Sequence, residues 1–169
     1  GEYLTPIVIG ESAQGLSDGA IAIGEQSLVT SGATAGYALG AKATVSAVDG
    51  LALGRNTSVS LANSVALGSN SVASAVTATT TWTTANAVVS GSTFTVNQAP
   101  TNGVVAVGNR QIQGVADGEV SATSTNAING SQLYKVTTAL DTKIGSLSTS
   151  TSTGISSLST GLSTTNSTV

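Results

Sequence analysis

Eight acids carry nearly all the proton-transfer and cation-binding capacity of this 169-residue chain: Glu2, Glu11, Asp18, Glu25, Asp49, Asp117, Glu119 and Asp141. Only Asp117 and Glu119 stand close together, and a carboxylate pair is the minimum for holding a cation or for acid–base hydrolysis. They flank Gly118, and a solvated turn is the stronger reading. Histidine and cysteine are absent, which excludes serine–histidine and cysteine–histidine nucleophile pairs, the common zinc sites and a disulfide framework. No serine has a base near it in sequence. The 20 glycines form neither a G-x-G-x-x-G nor a G-x-x-x-x-G-K-[ST] string, so they do not indicate a phosphate cradle. The chain reads as a non-enzyme, with no metal and no cofactor.

The basic residues Lys42, Arg55, Arg110, Lys135 and Lys143 are scattered singly and the net charge is −3, so nucleic acid is not an expected partner. Charged residues make up 8% and aromatic residues 3%, with Ala, Ser, Thr and Gly filling most of the rest. Small side chains bury little apolar surface each, at about 25 cal/mol per Å², and the ordering entropy of the chain is large. Association with further chains is therefore expected. No apolar run approaches 18 residues, no Arg- or Lys-led signal segment is present and position 1 is Gly rather than an initiator Met, so the sequence is expected to be a piece of a longer chain with any export signal or membrane anchor outside it.

The elements that position these residues are repeats. An apolar-Ala-apolar-Gly tetrad recurs as Ile21-Ala22-Ile23-Gly24, Tyr37-Ala38-Leu39-Gly40, Leu51-Ala52-Leu53-Gly54 and Val65-Ala66-Leu67-Gly68, with a diverged copy at Ile7-Val8-Ile9-Gly10. Successive glycines stand 14, 16, 14 and 14 residues apart. Small residues follow three positions on, at Ser27, Ala43, Thr57 and Ser71, and a second apolar patch two further, at Val29, Val45, Val59 and Ala73. Fourteen residues at about 3.3 Å each supply two strands of roughly five residues and two tight turns, one coil of a β-solenoid. Alternation sends Ile21 and Ile23 to one face and Ala22 to the other, one side accepting bulk and the other crowded. The fixed Gly suits a positive φ or a close backbone approach, and Asp49-Gly50 and Asn63-Ser64 are turn pairs.

The string Asn63-Ser64-Val65-Ala66-Leu67-Gly68-Ser69-Asn70-Ser71, repeated at this spacing, resembles the head repeat of trimeric autotransporter adhesins of the YadA type, N-S-V-A-I-G-x-x-S. The resemblance implies a mainly β chain with a C-terminal α segment: a left-handed parallel β-roll head, a β insert, a neck, then a trimeric coiled coil. Residues 76–103 break the period, with a Thr-rich stretch around Trp82 and a hairpin expected around Ser90-Gly91-Ser92. Trp82 is similar in position to a Trp that some members place around the trimer axis.

The tetrad returns as Val105-Ala106-Val107-Gly108 and runs into Asn109-Arg110-Gln111-Ile112, then Val115, and later Asn126-Ala127-Ile128-Asn129-Gly130-Ser131-Gln132-Leu133. These segments resemble the family's neck, N-R-Q-I-x-x-V-x-x-G and D-A-V-N-G-S-Q-L, with Asn126 and Ile128 departing from it. The neck residues implied are Asn109, Arg110, Ile112, Val115, Asn126, Ala127, Asn129, Gln132 and Leu133. Arg110, at the narrowing, is expected to tie carbonyls or an acid of a neighbouring chain. Beyond it Leu133, Val136, Leu140, Ile144, Leu147, Thr151, Ile155, Leu158, Leu162, Thr165 and Val169 follow a helical period, two eleven-residue units and then heptads. A helix from about Asn126 to near Val169 is expected, weak in propensity because the other positions are mainly Ser, Thr and Gly.

The resemblance implies segments at 1–75 (head), 76–103 (insert), 104–130 (returning strand and neck) and 131–169 (stalk). It implies a homotrimer on a bacterial cell surface, attached through an outer-membrane anchor beyond this chain, that adheres to host extracellular matrix, cells or surfaces. Collagen is the matrix partner it suggests, through the best-matching repeat residues Asn63, Ser64, Val65, Ala66, Gly68 and Ser71. A trimeric phage-type fibre is the alternative, and it leaves the neck strings unexplained. An ice- or polysaccharide-binding solenoid would rest on the Thr cluster 77–84 alone.

Overall fold

The repeat closes on itself as coils because each unit contains two short apolar strands separated by residues that accept a left-handed backbone. The structure is a computed structural model and describes residues 5–76, 81–83, 93–95 and 100–168, the pieces 81–83 and 93–95 as backbone only. The coils are built from β1 (Ile7–Ile9), β2 (Gln14–Gly15), β3 (Ile21–Ile23), β4 (Leu28–Val29), β5 (Tyr37–Leu39), β6 (Thr44–Val45), β7 (Leu51–Leu53), β8 (Ser58–Val59), β9 (Val65–Leu67) and β10 (Val72–Ala73). An antiparallel pair β11 (Thr81–Thr83) and β12 (Thr93–Thr95) follows, then β13 (Val105–Ala106) and the helix α1 (Gly130–Ser167).

Among the described residues the strands form a parallel β-solenoid of about five turns, one sheet ordered β1-β3-β5-β7-β9-β13 and the other β10-β8-β6-β4-β2. The strands hold three and two residues rather than the roughly five expected, because the corners take the remainder. Tetrad stacks on tetrad, so Ala22, Ala38, Ala52 and Ala66 form one column and Val29, Val45 and Val59 another on the facing sheet. Both columns are wholly buried, together with Ala20, Ala33 and Ala43. The bulky tetrad residues face outward instead: Ile23, Tyr37, Leu53 and Leu67 are exposed. The inward face of the tetrad is thus the alanine face, which packs with the Val column in one buried cluster.

The two extra residues between Gly24 and Gly40 leave the register intact, since Ile21 still pairs with Tyr37 and Ala22 with Ala38. They are absorbed between Val29 and Tyr37, where Gly32 lies exposed and Ser17 Oγ donates to the Ala33 carbonyl at 2.8 Å to hold the enlarged turn. Gly24 answers both demands expected of the tetrad glycine. Its φ is +134°, and a Cβ there would stand 2.6 Å from the Gly40 carbonyl oxygen of the next coil. The corners also bring Ser12, Gln26, Lys42, Asn56 and Asn70 to φ between 55° and 62°, with Ala35, Asp49 and Asn63 alike at the opposite corner.

After β10 the chain leaves the solenoid and returns at β13, where Val105 pairs with Val65 and Ala106 with Ala66. Within this excursion Trp82 pairs with Phe94 between β11 and β12. The expected turn at Ser90-Gly91-Ser92 and the side chain of Trp82 lie outside the described residues.

Gly1–Gln111 and Ile112–Val169 are two separate compact units. In the second, α1 begins later than expected: the N-cap is Asn129, not Asn126. Asn129 Oδ1 accepts from Gln132 N at 3.1 Å while Gln132 Oε1 accepts from Asn129 N at 3.2 Å, a capping box that Asn126 has no glutamine or glutamate three residues on to complete. The helix ends at Ser167 with Thr168 as its C-cap.

Candidate functional site

Two places gather the residues singled out in the sequence: the last coil with Arg110, and the start of α1. In the solenoid, each corner residue two past the tetrad glycine donates its N–H to the coil before. Gln26 N reaches Glu11 O at 2.8 Å, Lys42 N reaches Glu25 O at 2.8 Å, Asn56 N reaches Ala41 O at 2.9 Å and Asn70 N reaches Arg55 O at 3.0 Å. The next acceptor in this ladder is Ser69 O, and its donor is Nη2 of Arg110, at 2.6 Å. Nη1 of the same guanidinium donates to Val107 O at 2.8 Å and to Ser71 Oγ at 3.1 Å.

The guanidinium also lies over Gly68. A Cβ on Gly68 would stand 2.9 Å from Arg110 Cζ, whereas the same space above Gly24 and Gly40 holds the backbone of the next coil. Arg110 therefore fills the volume and the hydrogen-bonding position of a missing coil. The carbonyls it ties belong to its own chain. A rigid planar fork suits this because its donors diverge as the coil's own acceptors do. Asn109, beside it, is exposed.

The repeat residues separate by burial. Ser64, Ala66 and Ser71 are buried, with Ser71 Oγ donating to Leu67 O at 2.8 Å and Ser64 Oγ accepting from Val104 N at 3.0 Å. Val65 and Gly68 are half-buried and Asn63 is exposed at a corner. Three of the six thus serve the coil's interior, and Asn63 offers the most surface to a partner.

At the helix start, Asn129 and Gln132 organise the irregular segment 112–129. Asn129 Nδ2 donates to Val115 O at 3.0 Å and to Asp117 Oδ1 at 2.7 Å. Gln132 Nε2 donates to Gly118 O at 2.6 Å, and Gln132 Oε1 accepts from Gly118 N at 3.0 Å. The Ala127 carbonyl stands where a Gly118 side chain would be, so Gly118 is required by space. Asp117 also faces Lys135 at 4.0 Å, an exposed pair of little weight, and Glu119 is exposed. The full amide pairing of Gln132 with Gly118 was not read from the sequence, although N-x-x-Q at 129–132 is a capping signal. Ile112, Ala127, Ile128 and Leu133 are exposed and Val115 is half-buried; the first three line an open groove with Val115, Gly114 and Gly130.

A family model described as the coiled stalk of trimeric autotransporter adhesin matches residues 111–167, the capped helix and the segment leading into it. Among solved structures, the C-terminal YadA-like domain of a Burkholderia pseudomallei protein is 34% identical with a TM-score of 0.52, covering 61% of this chain and 49% of that one.

The chain is trimeric autotransporter adhesin-like.

It spans about half the length of that YadA-like domain chain, and no curated protein matches it. The family is one of structural adhesins. In this adhesin-like chain the two gathered sites are joints of a scaffold: Arg110 finishes the coils, and the Asn129–Gln132 pair starts the helix.

Proposed function

We propose that this chain is the head, insert, neck and stalk segment of a homotrimeric bacterial cell-surface adhesin, divided near residues 75, 103 and 130. The observation that carries the reading is α1 itself: none of its 38 residues is buried, and Leu133, Val136, Leu140, Ile144, Leu147, Ile155, Leu158 and Leu162 are 53–74% exposed in one chain. Half of α1 is Ser or Thr, so propensity alone does not sustain it; burying each Leu or Ile against a partner contributes about 1.5–3 kcal/mol. The outward tetrad residues Ile23, Tyr37, Leu53 and Leu67 form a second apolar strip that a neighbouring chain would cover. A homotrimer would give each strip copies of itself to pack against.

The function of such an assembly is attachment to host matrix, cells or surfaces, with collagen as the first ligand to try and Asn63 as the repeat residue best exposed to it. No described helix is long and apolar enough to cross a membrane, and the anchor would be supplied by other parts of the protein. Light scattering across a dilution series tests the assembly: three times the 16.4 kDa chain mass is expected, and a persistent folded monomer would overturn it. Binding of the folded trimer to immobilised collagen, compared with the Asn63→Ala variant, tests the ligand.

A further inference from the structure

The chain contains two Asn-Gly pairs, Asn102-Gly103 and Asn129-Gly130. Such a pair is the least hindered arrangement for attack of a main-chain nitrogen on the preceding side-chain amide, because glycine brings no Cβ beside the nitrogen and leaves the backbone free to turn. The fold treats the two amides in opposite ways. Asn129 is half-buried and its side chain is tied at both ends: Oδ1 accepts from Gln132 N at 3.1 Å and from Ser131 Oγ at 2.7 Å, and Nδ2 donates to Val115 O at 3.0 Å and to Asp117 Oδ1 at 2.7 Å. Asn102 is exposed, and among the described residues neither its amide nor the Gly103 N–H has a hydrogen-bond partner.

Gly103 is nonetheless closely seated. Its φ is +83°, and a side chain there would collide with Ser64 Oγ and with the carbonyls of Asn63 and Ala62. The next residue fastens the chain to the last coil: Val104 N donates to Ser64 Oγ at 3.0 Å, and Val104 O accepts from Val65 N at 2.8 Å. An unprotected Asn-Gly pair thus stands directly ahead of β13, the strand that rejoins the solenoid.

We propose that Asn102-Gly103 is a self-modification site whose conversion loosens the return of the chain onto the last coil. Gly103 N bonds to Asn102 Cγ as the Cγ–Nδ2 bond breaks; Nδ2 leaves as ammonia, taking the proton that Gly103 N gives up, and a cyclic imide remains. One water from the solvent then opens the imide, and no electrons are transferred in either step. Opening at the side-chain carbonyl leaves aspartate at position 102. Opening at the main-chain carbonyl leaves isoaspartate, in which the chain runs through Cβ and Cγ and is longer by one carbon, about 1.5 Å. That carbon enters immediately before a residue seated against Ser64 and two carbonyls, so the Val104 bonds and the pairing of Val105 with Val65 are drawn out of register. The chemistry needs one chain and solvent, and it does not depend on the homotrimer.

The test holds the full chain in mildly alkaline buffer at body temperature and follows isoaspartate by methyl transfer from an isoaspartyl methyltransferase, with peptide mapping to place it. Conversion is expected at Asn102, faster as the pH rises because the attacking nitrogen must lose its proton. At Asn129 it should be at least about tenfold slower, since that amide must first leave its charge-assisted bond to Asp117. In concentrated urea the two sites should convert alike. Hydrogen exchange at the Val65 and Val104 N–H groups should quicken in the converted chain, whereas Asn102→Ser treated in the same way should stay unlabelled at 102 and keep its protection. Equal rates at 102 and 129 in the folded chain, or conversion at 102 with exchange at Val65 unchanged, would overturn the inference. Should Asn102→Ser lose its β signal in circular dichroism, Asn102→Gln, which must close a larger ring and reacts far more slowly, decides it by the same criteria.

Discussion

Arg110 lies 41 residues from Ser69 in sequence, yet its Nη2 donates to the Ser69 carbonyl at 2.6 Å, the acceptor that a further coil's backbone N–H would otherwise take. Repeat proteins need a distinct terminal unit because the last repeat exposes donors, acceptors and core to water. Here a single side chain meets that need for the corner.

Arg110→Ala should therefore lower the stability of the coil region by about 1–3 kcal/mol, the range for charge-assisted hydrogen bonds with their acceptors left open. Arg110→Lys should recover less than half, since one ammonium lacks the fork that reaches Ser69 O and Val107 O together. Urea melts followed by the β signal measure this; an unchanged midpoint for Ala removes the cap from the account.

Ser27, Thr57 and Ser71 share one buried column with Ala43, but their hydroxyls differ. Thr57 Oγ1 donates to Gly54 O at 2.7 Å and Ser71 Oγ to Leu67 O at 2.8 Å, while Ser27 Oγ has no partner. Ser27→Ala should be stabilising by up to about 1–2 kcal/mol, and Thr57→Ala destabilising by a similar amount. A lower midpoint for Ser27→Ala would mean that its hydroxyl is bonded in solution.

Backbone geometry predicts opposite outcomes at two positions. Ala35, at φ 53°, carries a left-handed cost of about 1–2 kcal/mol that Ala35→Gly relieves, partly offset by the unfolded-state entropy of Gly. Gly24→Ala drives a Cβ into the Gly40 carbonyl group and should prevent the coil from forming. Thermal melts rank the two, with the wild type between them.

Asn129→Ala removes the helix cap and the ties to Val115 and Asp117 together. A loss of about 1–2 kcal/mol is expected, with reduced helical ellipticity and slower reassembly after dilution from urea. Asn126→Ala, three residues earlier and outside the box, should change neither.

The coil was legible in the sequence because Gly24, Gly40 and Gly54 mark a backbone requirement no other residue meets at that contact. Which face of the tetrad turned inward was not, since Ile21-Ala22-Ile23 alternates equally well either way and the answer lies in the distant Val29 column across the core. Asn126 and Asn129 are alike as caps; only the reciprocal glutamine at 132 separates them. Arg110's purpose as a donor to carbonyls was readable from its chemistry, but two of its three acceptors lie 39 and 41 residues away on a coil end that exists only after folding.

In-register stacking gives each coil position several occupants in one molecule. Ser27, Ala43, Thr57 and Ser71 are four side chains tried in nearly one environment, as are Gln26, Lys42, Asn56 and Asn70 at one corner. The chain is in this sense its own substitution series: what a coil tolerates at a position can be read by looking up or down the stack, and a residue found there once can be transplanted to the neighbouring coils with a known precedent.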